Sequence, residues 1–154
     1  MLTLEDIQAQ EEASVLDHFT AEDAWRLGCL VHGLAGEDAD RISVSVKQNG
    51  RLLFFCAGNE TTVENEDWIR WKRNTVERFC HSSYYMKKKF NDDFDLFYRD
   101  RIVSPESYTI YGGGFPIVVR GAGMTGSLVV SGLSDEDDHM LCVRGLEALK
   151  KDQG

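Results

Sequence analysis

Imidazole side chains offer this sequence its widest choice of chemistry, because a histidine can ligate a metal or exchange a proton near neutral pH. The chain contains four of them: His18, His32, His81 and His139. No two are three or four residues apart, the spacing that places a pair of ligands on one helix face. His139 follows Asp137-Asp138 and shares a helical stripe with Cys142. We identify His139 as a candidate ligand, with a structural role as the alternative.

None of the common catalytic signatures occurs in the sequence. There is no GxSxG nucleophile elbow and no HExxH zinc motif. The four cysteines are widely spaced and form no CxxC pair, which is typical of buried thiols in a reducing compartment. Adjacent acids at Asp92-Asp93 and at 136–138 fall at a turn and a helix start, where solvation and capping explain them. We therefore predict a binding function rather than catalysis.

Two glycine clusters could bring the backbone close to a ligand. Residues 121–126 (GAGMTG) match the GxGxxG dinucleotide fingerprint, but the residues that follow alternate like a strand, whereas the fingerprint must open a helix. We interpret this cluster as a hairpin turn. The second cluster, Gly112-Gly113-Gly114, precedes a predicted strand. It either allows close approach of a ligand or another chain, or forms a flexible turn.

Charge is distributed unevenly along the 154 residues, whose formal net charge is −9. Residues 70–89 carry seven basic side chains and one acid, whereas residues 1–23 carry seven acids and no base. The basic segment predicts a pocket for an anion, a surface for an acidic neighbour, or only a solvated helix face. An excess of acids disfavours nucleic-acid binding, because phosphate attraction needs a surplus of Lys and Arg.

The cellular setting follows from what the sequence lacks. No segment approaches the roughly 18 apolar residues of a membrane span. The acidic N-terminus is unlike the basic and then apolar start of a signal peptide. We therefore expect a cytoplasmic protein without a membrane partner. The chain length and the absence of linkers or repeats favour one domain over residues 1–154.

Hydrophobic periodicity predicts the helices that must position these residues. A short acidic helix begins near Thr3, and a capping pattern at Thr20 begins a second helix that ends at Gly36. Residues 63–90 have helical periodicity with a break near Ser82-Ser83. A last helix begins at the capping pattern of Ser134. Residues 93–98 are expected to be short and extended, or irregular.

Two hairpins complete the predicted order. Asn49-Gly50 is a strong turn signal between a half-buried strand that starts near Ile42 and a more fully buried strand over 52–57. The second hairpin joins strands over 115–120 and 127–133. Hairpins separated by helices predict an antiparallel α/β (α+β) architecture of four to five strands flanked by helices.

Several spaced blocks resemble one family closely. They are WIRWKRNTVERFCHSS at 68–83, GGGFPI at 112–117, GSLVVSGL at 126–133 leading to Asp138-His139, and AWRLG at 24–28. Together they are similar to the UPF0303 group, within the wider set of haem-degrading-domain or HbpS-like proteins, over about residues 24–149. Members often carry His immediately before the paired glycines, where this chain has Tyr111.

The resemblance implies a profilin-like fold, homo-oligomers, and binding of haem or a related tetrapyrrole. The implied ligand-binding set is Arg73, Tyr111, Gly112, Gly113, Gly114, Phe115 and His139. Tyr111 or His139 would be the axial ligand, because a phenol can also ligate ferric haem. Arg73 or the run 87–89 would meet the propionates, and an apolar groove near Phe115 would receive the ring.

Two other functions remain open beside tetrapyrrole binding. One is a structural or chaperone-associated interaction protein without small-molecule chemistry, in which the glycine strands pack between subunits and the unlike charge segments set the docking. The other is a haem-degrading enzyme, which the absence of a catalytic constellation disfavours.

Overall fold

Six α-helices and four strands make up the fold in a computed structural model that describes residues 1–154. The helices are α1 (Leu4–Ala13), α2 (Ala21–Ala35), α3 (Val63–Phe79), α4 (Ser83–Lys89), α5 (Phe94–Arg101) and α6 (Asp135–Gln153). The strands are β1 (Ser43–Gln48), β2 (Arg51–Ala57), β3 (Gly114–Val119) and β4 (Gly123–Ser131). A short 3-10 helix (Gly36–Arg41) follows α2. None of the helices is both long and apolar enough to cross a membrane.

The strands form one antiparallel sheet in the order β2-β1-β4-β3, which confirms the predicted α+β architecture. Both predicted hairpins are present. The residues of the GxGxxG motif form the turn and start of the β3–β4 hairpin, with positive φ at Gly121 and Gly123. The predicted burial of the first hairpin is wrong, because β1 is almost fully buried and β2 is mostly exposed. The reason is the sheet order, which makes β1 a central strand and β2 an edge.

Helices cover the two faces of the sheet unequally. On one face, Val44 and Val46 of β1 join the main core with Leu27 of α2 and Leu146 of α6. On the opposite face lies α3, where the polar side chain of Ser45 accepts a hydrogen bond from the helix. Alternate residues of a strand point to opposite faces, so β1 supplies valines to the core and serines to α3.

A second, smaller core lies beside the sheet and involves a helix that the sequence pattern did not predict. Residues 94–101 form α5, whereas we expected residues 93–98 to be extended or irregular. The Asp93 side chain accepts the Leu96 N–H and caps the helix. Phe97 is its buried residue and packs in a cluster with Ile7 and Tyr84. Burial of one aromatic ring thus stabilises a helix too short for a clear periodic signal.

The two edges of the sheet differ. At the β3 edge, the chain before α2 forms a parallel bridge between Leu16 and Val119. Leu16 N–H donates to the Val118 carbonyl at 2.9 Å, and Arg120 N–H donates to the Leu16 carbonyl at 2.8 Å. At the β2 edge no further strand follows. Only the β2 edge is therefore open along its length.

Candidate functional site

A cleft of about 480 Å³ opens where the start of α3, the end of β4 and the start of α6 meet. Its lining includes Trp68, Lys72, Tyr111, Leu133, Asp135 and Asp138. Capping explains why α6 begins at this place, since the Ser134 side chain accepts the Asp137 N–H at 3.1 Å. Trp68 and Lys72 lie four residues apart on α3, so both project from the same helix face.

A buried ion pair forms one wall of the cleft. Lys72 Nζ donates to Asp138 Oδ2 at 3.1 Å and to the Val130 carbonyl at 3.0 Å, and the two side chains are only 4% and 2% exposed. Asp138 also accepts the backbone N–H groups of Gly132 and Leu133. Burial raises the pKa of the Asp138 carboxyl, while the Lys72 ammonium and the backbone donors oppose that rise. An ammonium has three donors, and Val130 and Asp138 accept two of those of Lys72.

Aromatic rings form the other wall. The Tyr111 ring centroid lies 5.5 Å from that of Trp68 and 4.6 Å from that of Phe94. Trp68 in turn packs edge-on against Trp71 at 4.8 Å. Tyr111 is 42% exposed, so its phenol is accessible to a ligand although its ring is held by neighbours.

One lysine of the predicted basic run is fixed beside this wall. Lys87 Nζ donates to Asp135 Oδ2 at 2.7 Å and lies 5.5 Å from the Tyr111 ring centroid. Asp135 also accepts the Gly112 N–H at 3.2 Å. The start of α6 therefore holds a cation and the glycine segment together at the edge of the cleft.

The triple glycine segment, for which the sequence allowed either close approach to a ligand or another chain or a flexible turn, is packed against its own chain. All three glycines are buried. A Cβ at Gly112 would lie 2.5 Å from the Asp135 carbonyl oxygen, and a Cβ at Gly113 would lie 2.7 Å from Lys72 Nζ. Gly114 would meet the Val76 side chain at 2.8 Å. The glycines bring β3 close enough to α3 and α6 to form the back of the cleft.

His139 and Phe115 lie in the core and not in the cleft. Both are fully buried, and the His139 ring lies between Tyr84 and Phe115 with centroid distances of 5.1 and 5.7 Å. His139 Nε2 is 2.7 Å from Gln10 Oε1, and burial lowers the pKa of the imidazole to about 4. Neighbouring side chains therefore already fill the space around both residues, which fits the structural alternative for His139 and leaves no open groove at Phe115.

Arg73 is also separate from the cleft. Its Nη2 donates to Ser45 Oγ at 2.8 Å on the sheet face beneath α3. Burial lowers the pKa of its guanidinium, and no carboxylate pairs with it. Of the predicted site residues, the structure places Tyr111 at the cleft and the three glycines behind it.

Three cleft residues were not predicted as site residues. Trp68 lies in the segment 63–90 that we predicted as helical, Lys72 in the basic segment 70–89, and Asp138 in the acidic helix start that solvation and capping explained. The spacing of Trp68 and Lys72 was the available signal, because it places an aromatic ring and a cation on one face. Nothing local indicated that Asp138 would meet them.

Comparison with known proteins identifies relatives along almost the whole chain. Residues 19–147 match the family described as "Haem degrading protein HbpS-like". A UPF0303 protein of Lactiplantibacillus plantarum is 38% identical over 153 residues, which is 99% of each chain. A UPF0303 protein of Streptomyces avermitilis is 39% identical over 145 residues, covering 94% of this chain and 89% of the relative.

Solved structures share the fold. The Ybr137w protein superposes with a TM-score of 0.88 at 29% identity, covering 97% of this chain and 88% of that one. HbpS gives a TM-score of 0.68 at 20% identity, covering 86% and 90%. A haem complex of PduOC gives 0.70 at 16% identity, covering 84% and 94%. The family match and the UPF0303 relatives together show that this chain belongs to the HbpS-like family.

Proposed function

We propose that the protein binds a flat, conjugated ligand of the tetrapyrrole class in the cleft between α3 and α6, and that it holds this ligand without transforming it. The observation that carries the proposal is an exposed phenol, Tyr111, beside the Trp68 ring in a cleft of about 480 Å³. Membership of the HbpS-like family supports the ligand class. So does PduOC, a protein of the same fold that was solved with haem.

The donor set of the cleft fits haem through Tyr111. Tyrosine is among the side chains that ligate haem iron, and this phenol is accessible while its ring is held by Trp68 and Phe94. His139 does not fit, because its Nε2 lies at hydrogen-bond distance from Gln10 within the core. When bound, haem would supply the iron that the phenol oxygen ligates.

Other cleft residues would orient the ligand. The Trp68 ring offers an apolar face against which a conjugated macrocycle can stack. The remaining Lys72 N–H and the Lys87 ammonium are donors suited to carboxylate groups at the edge of a tetrapyrrole. Of the two partners expected for the propionates, Arg73 and the run 87–89, Lys87 of the run would take this role.

Titration with hemin tests this function. Wild-type protein should give a saturable Soret shift, and Tyr111→Phe should weaken binding by at least about tenfold, because the phenol oxygen that would hold the iron is lost while the ring remains. His32→Ala is the matched control, since His32 is exposed and outside the cleft, and its affinity should equal that of wild type. A shift that never saturates, or equal affinity for Tyr111→Phe and wild type, would overturn the proposal.

The same sample tests the haem-degrading alternative. With a reductant present, a stable complex keeps its Soret band, whereas degradation would bleach the band and release an open-chain product. The complex is expected to persist. The cleft contains the Tyr111 phenol and the Lys72–Asp138 ion pair, but no histidine lines it.

A function in protein assembly is favoured by a different observation. Leu52 and Phe55 of the terminal strand β2 are 55% and 39% exposed, and no further strand pairs with the outer side of β2. This feature does not depend on any small ligand.

A further inference from the structure

The four cysteines have different surroundings in the folded chain. Only Cys142 is buried, whereas Cys56 is half-buried and Cys29 and Cys80 are exposed. The burial expected from the sequence is therefore confirmed for Cys142 and not found for Cys29 and Cys80. Cys29 belongs to α2 and Cys56 to β2, and these two elements pack against each other.

Packing at Phe54 brings α2 close to β2. The Trp25 ring of α2 packs edge-on against the Phe54 ring with a centroid distance of 5.2 Å. Gly28 lies directly over the same ring, since a Cβ at Gly28 would be 2.3 Å from it. Because Gly28 has no side chain, the helix approaches the strand more closely than any other residue at this position would allow.

The helix and the strand run in the same direction. Near the start of α2, the Phe19 carbonyl accepts a hydrogen bond from Gln48, which pairs with Arg51 at the start of β2. Beyond the end of α2, the Asp40 carbonyl accepts the N–H of Glu60, which follows the end of β2. Each end of α2 therefore lies beside the corresponding end of β2.

Helix and strand geometry then places two cysteines next to each other. Cys29 is one turn after Trp25, about 6 Å further along the same face of the helix. Cys56 is two residues after Phe54, about 7 Å further along the same face of the strand. Because Trp25 contacts Phe54 and both elements advance in the same direction, Cys29 lies over Cys56.

The two thiols differ in access and in acidity. Cys29 is exposed, so a reagent dissolved in water reaches it first. Burial raises the pKa of the Cys56 thiol, a Val44 backbone group opposes this rise, and the neighbouring Cys29 sulfur adds to it. This electrostatic effect of Cys29 on Cys56 agrees with the proximity derived from the packing. Cys29 is therefore suited to react first and Cys56 second.

We propose that Cys29 and Cys56 form a reactive dithiol that a hydroperoxide converts into a disulfide within one chain. The Cys29 thiolate attacks the outer peroxide oxygen and the O–O bond breaks, so that the sulfur is oxidised to a sulfenic acid and the peroxide is reduced to an alcohol. The Cys56 thiolate then attacks the Cys29 sulfur, the S–O bond breaks, and hydroxide leaves with the thiol proton as water. Two thiols and one hydroperoxide thus give one disulfide, one alcohol and one water.

Closure of this disulfide would tie the terminal strand to the main core. β2 pairs only with β1 in the sheet, whereas α2 supplies Leu27 and Val31 to the core. The bond would enclose residues 29–56 and restrict the movement of the strand relative to the helix. It requires no ligand in the cleft, so it does not depend on tetrapyrrole binding.

Oxidation of purified full-length protein by hydrogen peroxide, without hemin, tests the dithiol. An equimolar amount of peroxide should lower the intact mass by about 2 Da, because two thiol hydrogens are lost. After alkylation and tryptic digestion without reduction, the peptide 27–41, which contains Cys29, should be linked to the peptide 52–70, which contains Cys56. Dithiothreitol should separate the two peptides.

Serine variants assign the linkage. Cys29→Ser and Cys56→Ser should each abolish the linked peptides, and in Cys56→Ser the sulfenic acid of Cys29 should be trapped by dimedone. Cys80→Ser is the matched control, since Cys80 is also exposed but follows α3 on the opposite face of the sheet. It should give the same linkage as wild type, and circular dichroism checks that each variant is folded.

The urea-unfolded chain provides the reference for unspecific oxidation. Peroxide should link its four thiols in several pairings, whereas the folded protein should give the single pair of Cys29 and Cys56. If folded wild type lacks the link between 27–41 and 52–70, or shows the same mixture of pairings as the unfolded chain, the proposal is refuted.

Discussion

Asp138→Asn should lower the free energy of unfolding by about 3–5 kcal/mol, because it leaves the Lys72 ammonium buried without a carboxylate. The side chains of Lys72 and Asp138 are almost fully shielded from solvent by the protein. Leu133 N–H donates to Oδ1, whereas Gly132 N–H and Lys72 donate to Oδ2, so asparagine loses the charge and one of the two acceptor oxygens. Urea unfolding at pH 7 measures the loss.

An exposed pair on the same helix provides the control. Asp67 pairs with Arg70 at 3.0 Å, but both side chains are more than 40% exposed. Asp67→Asn should therefore cost less than about 1 kcal/mol. The double variant Lys72→Met with Asp138→Asn should regain part of the stability lost in the single variant, because no unpaired charge remains. A loss below about 1 kcal/mol in Asp138→Asn would contradict the buried pair and indicate that cleft water solvates both charges.

Acidification should destabilise the protein through His139. Burial lowers the pKa of this imidazole from about 6.5 to about 4 in the folded state, so the unfolded chain takes up the proton at a higher pH than the folded one. The contribution of His139 to stability is complete above about pH 6.5 and is lost as the pH falls towards 4. The loss amounts to about 3 kcal/mol at 1.36 kcal/mol per pKa unit.

The packing around His139 explains why the proton is disfavoured. Nε2 is engaged by Gln10 of α1, whereas Nδ1 is buried without any hydrogen-bond partner. Tyr84 of α4 and Phe115 of β3 flank the ring, and only Glu136 and Asp135 on its own helix oppose the effect of burial. A proton on Nδ1 would therefore place an unsatisfied donor and a charge in the core.

Measuring the free energy of unfolding against pH in wild type and in a His139 variant separates the contribution of this histidine from that of other groups. The free energy of unfolding should fall less steeply in His139→Gln than in wild type between pH 7 and pH 4, whatever the stability of the variant at pH 7. His32→Gln, at an exposed position, should keep the wild-type slope. Parallel profiles for wild type and His139→Gln would contradict the assigned pKa.

Local features of this fold were predictable from the sequence because their causes lie within a few residues. At the start of α2, the Thr20 side chain accepts the Asp23 N–H and the Asp23 side chain accepts the Thr20 N–H, as their spacing predicted. Asn49 and Gly50 both adopt the positive φ that the predicted hairpin requires. The residues after GAGMTG alternate as a strand and do form one, so the dinucleotide interpretation could be rejected without coordinates.

Features decided by tertiary neighbours were not predictable in this way. Lys72 and Asp138 are 66 residues apart, and no periodic pattern shows that their helices meet at one cleft. The alternating residues of β1 indicated one buried face, but α3 covers the other face as well. His139 lies on the same helix stripe as Cys142, as predicted. That stripe faces the core, so His139 is buried away from any ligand.

The Leu16 bridge has a consequence for aggregation. An unpaired terminal strand is a template for pairing with other chains, so a segment that pairs with it suppresses that process. The chain before α2 does this at the Val119 end of β3 from within the same polypeptide. Removing that segment would free the Val118 carbonyl and the Arg120 N–H, and the truncated protein is expected to aggregate more readily.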